Sequence, residues 1–318
     1  MTTSQLPWPD TFLVPARWHG IQRLLARCLE LQAGGSLPGT LMLVGGMGLG
    51  REALAVELAA ALVCRQSRTG CDCSSCERVR RGVHPDVEVI DVLPDKTEIS
   101  IEQVRGVVDN VAQRPYEGMR RVWVLNSCHT PPLNAEAASA LLKTLEEPPP
   151  QATFVLLASN PARVLPTIVS RSVQLRVPAP EHDELVSLLA LARGCTDERA
   201  AELLAVAQGD AGLALWSGED LPSEIANLEE LISSAIGGDG LAILRTAATS
   251  RLVPGGTDLI GAALLRLAAG VDREAAEEFL DAAAAVITAE NRRALLHLDV
   301  ESVLVGTLAR VAAGRGTR

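Results

Sequence analysis

The first half of the chain alternates between short, continuous apolar runs and longer segments in which apolar residues recur at helical spacing. Runs at 40–44, 122–125 and 154–158 are typical of strands that are buried on both faces of a parallel sheet. Residues 87–92 and 173–177 predict two further strands. Amphipathic helices are predicted at 18–33, 51–63, 101–112 and 134–147.

Two local signals mark helix starts in this part of the chain. Ser100 precedes the helix at 101–112, and Gln103 stands where a capping box needs a glutamine. A glycine-rich turn joins the run at 40–44 to the helix at 51–63, which is how a βαβ unit begins. The pattern therefore predicts the α/β fold class with a parallel sheet.

The strand signals stop after Pro178 and Pro180, and the rest of the chain has a helical pattern. We therefore predict three domains. These are a parallel-sheet domain over 1–178, a small helical domain over 179–220 and an all-helical domain over 221–318.

Composition narrows the class of protein. Hydrophobic residues make up 47% of the 318 residues and aromatic residues only 3%, which suits a helix-rich globular protein and excludes a disordered chain. The net charge of −10 argues against binding nucleic acid through bulk electrostatics, so contact with DNA is expected to be local or made through partners. No apolar stretch is long enough to span a membrane, and residues 1–10 lack the features of an export signal, which predicts a cytoplasmic protein.

The glycine-rich turn has the spacing of a phosphate-binding loop. Gly45, Gly48 and Gly50 would let backbone N–H groups face a phosphate at the start of a helix. An active loop continues with a lysine and then a serine or threonine that holds Mg²⁺, whereas this chain has Arg51 and Glu52. The loop is therefore a degenerate one.

Two further features argue against ATP hydrolysis by this chain. Glu52 brings a carboxylate to where a triphosphate would bind, and like charges about 4 Å apart repel by roughly 4 kcal/mol near a protein surface. The run at 122–125 is followed by Asn126 and Ser127 instead of acids that hold a metal ion. We predict a nucleotide-type fold without ATP hydrolysis. Nucleotide binding without turnover stays open, as does an active ATPase in which Arg51 replaces the lysine.

Four segments between residues 84 and 171 carry motifs of one known family. Residues 140–149 read ALLKTLEEPP, and His84-Pro85-Asp86, 99–105 and 165–171 match the same family. Together they resemble the AAA+ clamp-loader subunits of bacterial DNA polymerase III. The resemblance implies an AAA+ domain, a helical lid domain and a helical collar domain. It also implies DNA replication, as part of a hetero-pentamer with gamma/tau and delta subunits that loads a sliding clamp onto primed DNA. A zinc-containing adaptor of another AAA+ machine is the alternative.

The resemblance assigns roles to two positions. Arg171 in Ser170-Arg171-Ser172 aligns with the family's Ser-Arg-Cys motif, whose arginine completes the ATP site of a neighbouring subunit. Ser172 departs from that motif and leaves the arginine in place. Gly212 stands where ATP-hydrolysing members carry a nucleotide-sensing arginine. Both positions imply a subunit that does not hydrolyse ATP and instead supplies an arginine finger in trans.

Four of the seven cysteines lie close together, in the spacing C-x₆-C-x-C-x₂-C formed by Cys64, Cys71, Cys73 and Cys76. Without an export signal, such a cluster indicates metal binding rather than disulfides. Four thiolates can close a tetrahedral zinc site, and the resembling family often carries such a module after this helix. That family usually has two residues between the second and third cysteines, whereas only Asp72 lies there. The alternative is a redox pair at Cys73 and Cys76, although this pair is expected to follow a loop rather than to begin a helix.

Overall fold

The computed structural model describes residues 18–46, 49–93, 99–126, 135–216, 221–236, 239–252, 256–271, 276–277, 279–286 and 304–309. The chain divides into two compact units, Met1–His182 and Asp183–Arg318. We call the first the sheet unit and the second the helical unit, because the five strands all lie in the first.

A five-stranded parallel sheet forms the centre of the sheet unit. Its order is β2-β3-β4-β1-β5, and every neighbouring pair is parallel. In register, Met42 lies opposite Leu156 and Trp123 lies opposite Phe154. The strands are β1 Thr40–Val44, β2 Val87–Ile90, β3 Arg121–Leu125, β4 Ala152–Ala158 and β5 Val173–Arg176.

The core of this unit forms because helices cover both faces of the central strands. All seven residues of β4 are buried. On one face, Trp123 stacks on Phe154 with ring centroids 5.4 Å apart, and helices α4 and α5 complete the cluster with residues such as Val104 and Leu141. Helix α2 packs against β1, β3 and β4. The helices of this part are α1 His19–Ala33, α2 Arg51–Val63, α3 Ser74–Arg80, α4 Ile101–Asn110, α5 Ala135–Glu146 and α6 Pro166–Val169.

The helical unit is held together by apolar helix faces. Helices α10, α11 and α12 pack against one another, and α8 packs against α9 and α10. Ile225 and Ile232 of α10 are fully buried, as is Leu264 of α12. Helical residues also occur at 279–286 and 304–309. Its helices are α7 His182–Arg193, α8 Asp197–Val206, α9 Ala211–Trp216, α10 Leu221–Ile236, α11 Gly240–Leu252 and α12 Gly256–Ala269.

The predicted α/β class with a parallel sheet is confirmed. All five strands lie where the apolar runs predict them, with bounds that differ by at most two residues. The capping box is also confirmed, because Ser100 Oγ accepts from Gln103 N at 3.3 Å and Gln103 Oε1 accepts from Ser100 N at 2.9 Å. The separation of a lid domain from a collar domain near residue 220 stays a prediction. Among the described helices, none is both long enough and apolar enough to cross a lipid bilayer.

The capping box gives a first test of the fold. Replacing Ser100 by alanine removes the acceptor for one backbone N–H at the start of α4, so we expect Ser100→Ala to lower the free energy of unfolding by about 1 kcal/mol. Urea denaturation measures this. Ser187, exposed on α7, is the control, because Ser187→Ala removes no cap and is expected not to destabilise the protein. Equal losses in the two variants would contradict the capping role.

Candidate functional site

The glycine loop lies between β1 and α2, as predicted. Gly45 N donates to Ala158 O at the end of β4, and Gly50 O accepts from Leu54 N in the first turn of α2. Gly50 has a φ of +97°, a left-handed conformation that glycine adopts without strain. Gly48 lies outside the described residues. The backbone thus has the strand, loop and helix arrangement of a phosphate-binding loop.

Two side chains of the chain itself, Arg51 and Leu49, contact the glycines of the loop. Arg51 Nη1 donates to Gly45 O at 2.9 Å, and Arg51 Nε donates to Glu52 Oε1 at 2.6 Å. The Arg51 and Glu52 side chains are only 5% and 7% exposed. Leu49 lies over Gly46, where an added Cβ would come within 2.7 Å of Leu49 Cδ1. Arg51 therefore points back into its own loop instead of facing an outer phosphate.

The Glu52 carboxylate, expected where a triphosphate would bind, instead pairs with Arg51. Glu52 compensates the positive charge of Arg51 within the protein interior. The other carboxylate oxygen, Glu52 Oε2, is buried and has no hydrogen-bond partner among the described residues. Sequence reasoning gave no signal for this pair, because adjacent helix residues normally point in different directions.

The end of β3 carries an amide instead of an acid. Asn126 Nδ2 donates to Asp91 Oδ2 at 2.6 Å, so Asn126 holds a carboxylate that comes from the neighbouring strand end. Ser127, the next position predicted to lack an acid, lies outside the described residues. At the end of β4, Asn160 Oδ1 accepts from Ala162 N at 2.9 Å and caps a short 3-10 helix, Pro161–Arg163.

Gly212 stands where the resemblance places a nucleotide-sensing arginine in other members of the family. Gly212 lies in the first turn of α9, whose start is capped by Asp210 through a 2.9 Å hydrogen bond from Leu213 N. The predicted replacement of an arginine by Gly212 therefore falls at a helix start.

Arg171 lies between α6 and β5, at the surface of the sheet unit. Its Nε donates to Glu146 Oε2 at 3.1 Å, and its Nη1 donates to Thr167 O at 3.1 Å. The side chain is 30% exposed. Ser172, where the resembling motif has cysteine, donates from Oγ to Ile168 O at 2.7 Å. The guanidinium is thus ordered and still reachable from outside the chain.

The four predicted cysteine ligands come together in one cluster, and their sulfur atoms all lie within 4.8 Å of one another. The Sγ–Sγ distances are 3.7 Å for Cys64–Cys71, 3.8 Å for Cys64–Cys73 and 3.6 Å for Cys73–Cys76. Sulfurs bound tetrahedrally at about 2.3 Å from a metal ion lie about 3.8 Å apart, and a disulfide needs about 2.05 Å. The cluster can therefore bind a four-coordinate metal ion, and the single residue Asp72 between two ligands does not prevent this arrangement.

Two helices position the cysteines. Cys64 follows α2 directly, Cys73 is the N-cap of α3 and Cys76 lies in the first turn of α3. Cys73-Ser74-Ser75-Cys76 thus follows a loop, as expected, and not a strand, but it does begin a helix. A helix start lowers the energy of a thiolate, which favours a metal ligand as much as a redox thiol. The proximity of Cys64 and Cys71 to both sulfurs distinguishes this cluster from an isolated redox pair.

The surroundings of the cluster shift the pKa values of three of its thiols and connect it to α2. Burial raises the pKa of the Cys64 and Cys76 thiols, whereas the backbone N–H of Cys73 lowers the pKa of Cys71 to about 6. Arg80 donates to Cys71 O at 3.0 Å and forms a two-pronged ion pair with Glu57 of α2 at 2.6 and 2.9 Å. Arg80 thereby ties the cluster to the middle of α2.

The sequence analysis used His84-Pro85-Asp86 only as a motif of the resembling family and did not predict the buried network that these residues form next to the cluster. The Asp86 carboxylate is buried and accepts backbone N–H groups of Tyr116, Glu117 and Gly118 at 2.5, 2.9 and 2.7 Å. His84 is fully buried, and its Nε2 lies 2.8 Å from Ser75 Oγ of α3. Burial lowers the pKa of His84. The network joins α3 to the segment that leads into β3.

The family model described as "DNA polymerase III, delta subunit" matches residues 22–181, half of the chain and nearly all of the sheet unit. The chain belongs to the DNA polymerase III delta subunit family. This assignment agrees with the resemblance seen in residues 140–149 and 165–171.

Sequence similarity to individual proteins supports the same assignment. The delta' subunit of DNA polymerase III from Pseudomonas aeruginosa is 39% identical over 174 residues, 53% of this chain and 52% of that protein. The delta' subunit from Escherichia coli is 30% identical over 203 residues, 62% of this chain and 60% of that protein. The tau subunit from Escherichia coli is 30% identical over 180 residues, 56% of this chain and 27% of that protein. The chain thus spans about half the length of the delta' relatives that it matches.

The buried ion pair of the loop has a measurable consequence for stability. Arg51→Met leaves the Glu52 carboxylate buried without its partner, so we expect the free energy of unfolding to fall by about 3 kcal/mol. The double variant Arg51→Met/Glu52→Leu removes both charges and is expected to lose less than Arg51→Met alone. Chemical denaturation measures both.

Arg27 provides the matched control for this prediction. It pairs with Glu30 on α1, but both side chains are about two-thirds exposed. Arg27→Met is therefore expected to change stability by less than about 1 kcal/mol. A double variant at positions 51 and 52 that is less stable than Arg51→Met would contradict the internal pairing.

Proposed function

We propose that the chain is a delta' subunit of a bacterial DNA polymerase III clamp loader, which acts without hydrolysing ATP itself. The observation that carries the proposal is a contrast between two arginines. Arg51 of the chain's own loop is buried and paired with Glu52, whereas Arg171 is partly exposed at the surface. Membership of the delta subunit family and the two delta' relatives support the same function.

In this function Arg171 works on the ATP site of an adjacent gamma or tau subunit. A guanidinium supplied in trans neutralises the charge that develops on the γ-phosphate during hydrolysis, an effect of about 10³–10⁵ in rate. The chain's own loop does not turn over ATP, because Arg51 bonds to Gly45 O and Glu52 and because Asn126 takes the place of an acid at the end of β3. Arg171 is then the chain's contribution to catalysis by the assembly.

The proposed partners are gamma/tau and delta subunits in a hetero-pentamer, with the helices beyond residue 221 as the collar. Sequence similarity to tau subunits supports a shared architecture with such neighbours. The assembled complex would load a sliding clamp onto primed DNA in the cytoplasm. Because the chain carries a net charge of −10, its contact with DNA would be made locally or through those partners.

We further propose that the cysteine cluster holds a structural zinc ion. Four cysteine ligands with no position left for water are typical of closed, structural zinc sites. The sulfur separations of 3.6–3.8 Å suit a tetrahedral ion. The residues Cys64, Cys71, Cys73 and Cys76 would hold the end of α2 against the start of α3.

The arginine finger is tested in the assembled complex. We expect Arg171→Ala to assemble normally and to lower clamp loading at least about tenfold, together with a loss of DNA-stimulated ATP hydrolysis, because one ATP site loses its trans arginine. Arg176→Ala is the control, since Arg176 is exposed on β5 and lies outside the motif. Unchanged loading by Arg171→Ala would contradict the proposal, and ATP hydrolysis by the isolated chain would contradict the inactive loop.

Metal analysis tests the zinc site. We expect one zinc ion per chain, its loss in Cys73→Ser and its retention in Cys195→Ser, whose thiol lies outside the cluster. Protons compete with the metal for thiolates, so zinc affinity falls as the pH falls. Acidification is therefore expected to release the zinc ion, which a zinc-sensitive dye measures. Metal-free protein with unchanged stability would contradict this assignment.

A further inference from the structure

The Arg171 guanidinium is held by groups from two helices. Glu146, the last residue of α5, accepts from Nε at 3.1 Å. Thr167 of α6 accepts from Nη1 through its backbone oxygen at 3.1 Å, and Ser170 Oγ lies 3.4 Å from the same nitrogen. Two of the three guanidinium nitrogens are therefore tied to the sheet unit.

The third guanidinium nitrogen of Arg171, Nη2, differs from the other two in its contacts. Nη2 of Arg171 has no hydrogen bond or ion pair within the part of the chain that the structure describes. A guanidinium is planar and rigid, so fixing Nε and Nη1 also fixes the direction of the Nη2 hydrogens. An anion that approaches Arg171 meets donors that are already oriented.

We propose that Glu146 is a positioning residue that orients Arg171 for the charge of a nucleotide phosphate on a neighbouring subunit. The inference rests on the proposed arginine-finger function and adds a residue to it. A free arginine side chain loses rotamer entropy when it is fixed in one geometry. Because the contact with Glu146 already restricts the Arg171 side chain, part of this entropy is lost before a neighbour's phosphate binds.

The contact is too exposed to be important for folding. The Arg171 and Glu146 side chains are 30% and 57% exposed, and ion pairs at such positions contribute little to stability. Removing the Glu146 carboxylate should therefore leave the folded state intact and change mainly the orientation of Arg171. This difference separates a positioning role from a structural one.

The adjacent residue provides a matched control. Glu147 follows Glu146 directly and is also exposed, but its side chain makes no hydrogen bond or ion pair with the described residues. Glu147→Ala changes the net charge by the same amount, one residue away from the contact. An effect that arises from net charge alone would appear in both variants.

The experiment measures DNA-stimulated ATP hydrolysis by the chain assembled with its gamma/tau and delta partners, for Glu146→Ala, Glu146→Gln and Glu147→Ala. We expect Glu146→Ala to lower kcat about two- to fivefold with an unchanged KM for ATP, the range set by the energy of an exposed ion pair. Glu146→Gln keeps an oxygen acceptor for Nε and is expected to recover part of that loss. Glu147→Ala is expected to match the wild type.

A second background shows whether Glu146 acts through Arg171. In the Arg171→Ala variant, the further change Glu146→Ala is expected to have no effect on kcat, because the side chain that it orients is gone. A loss of equal size in both backgrounds would overturn the inference. So would an increase in kcat in Glu146→Ala, a loss in Glu147→Ala equal to that in Glu146→Ala, or a lower thermal stability of Glu146→Ala that accounts for the change.

The outcomes also separate this inference from the proposed function. If Arg171→Ala leaves ATP hydrolysis unchanged, the arginine-finger function itself fails, and the role of Glu146 fails with it. If Arg171→Ala abolishes stimulation while Glu146→Ala equals the wild type, the finger function stands and only the positioning role is wrong.

Discussion

The burial of α2 on every side is the constraint on which the rest of the sheet unit depends. All thirteen residues of this helix are buried, although three of them are charged. A charge in such a place is tolerated when it is paired, and the chain pairs Arg51 with Glu52 at one end and Glu57 with Arg80 in the middle. The glycine loop and the cysteine cluster are thereby attached to the two ends of one rigid element.

This arrangement shows how groups of the chain itself stabilise the start of α2. In an active loop, phosphate and Mg²⁺ satisfy the N-terminal end of the helix and the cation that faces it. Here the Glu52 carboxylate and the Gly45 carbonyl oxygen bind the Arg51 guanidinium instead. The internal pair thus compensates the positive charge of the loop without a bound ligand.

Features that depend on residues close together in the sequence could be predicted from the sequence alone. Apolar runs predicted the strands because both faces of a parallel sheet are buried, and the Ser100-x-x-Gln103 spacing predicted a cap. The four cysteines were found because their spacing is itself the signal. Contacts across 25 or more residues, such as Arg171 with Glu146 and Asp86 with Tyr116, were not predictable, since they depend on how helices and loops pack. The pairing of Arg51 with Glu52 could not be predicted either, because it depends on the rotamers of both side chains.

The Asp86 network has a consequence for the order of the sheet. The backbone oxygen of Asp86 accepts from Val122 N at 2.8 Å, at the start of the β2–β3 pairing, while its carboxylate binds the segment just before β3. A slip of β3 by one residue would turn Trp123 away from Phe154, and it would also pull the three N–H groups of that segment off the carboxylate. The contacts of Asp86 therefore favour a single register of β3 against β2, the strand at the edge of the sheet.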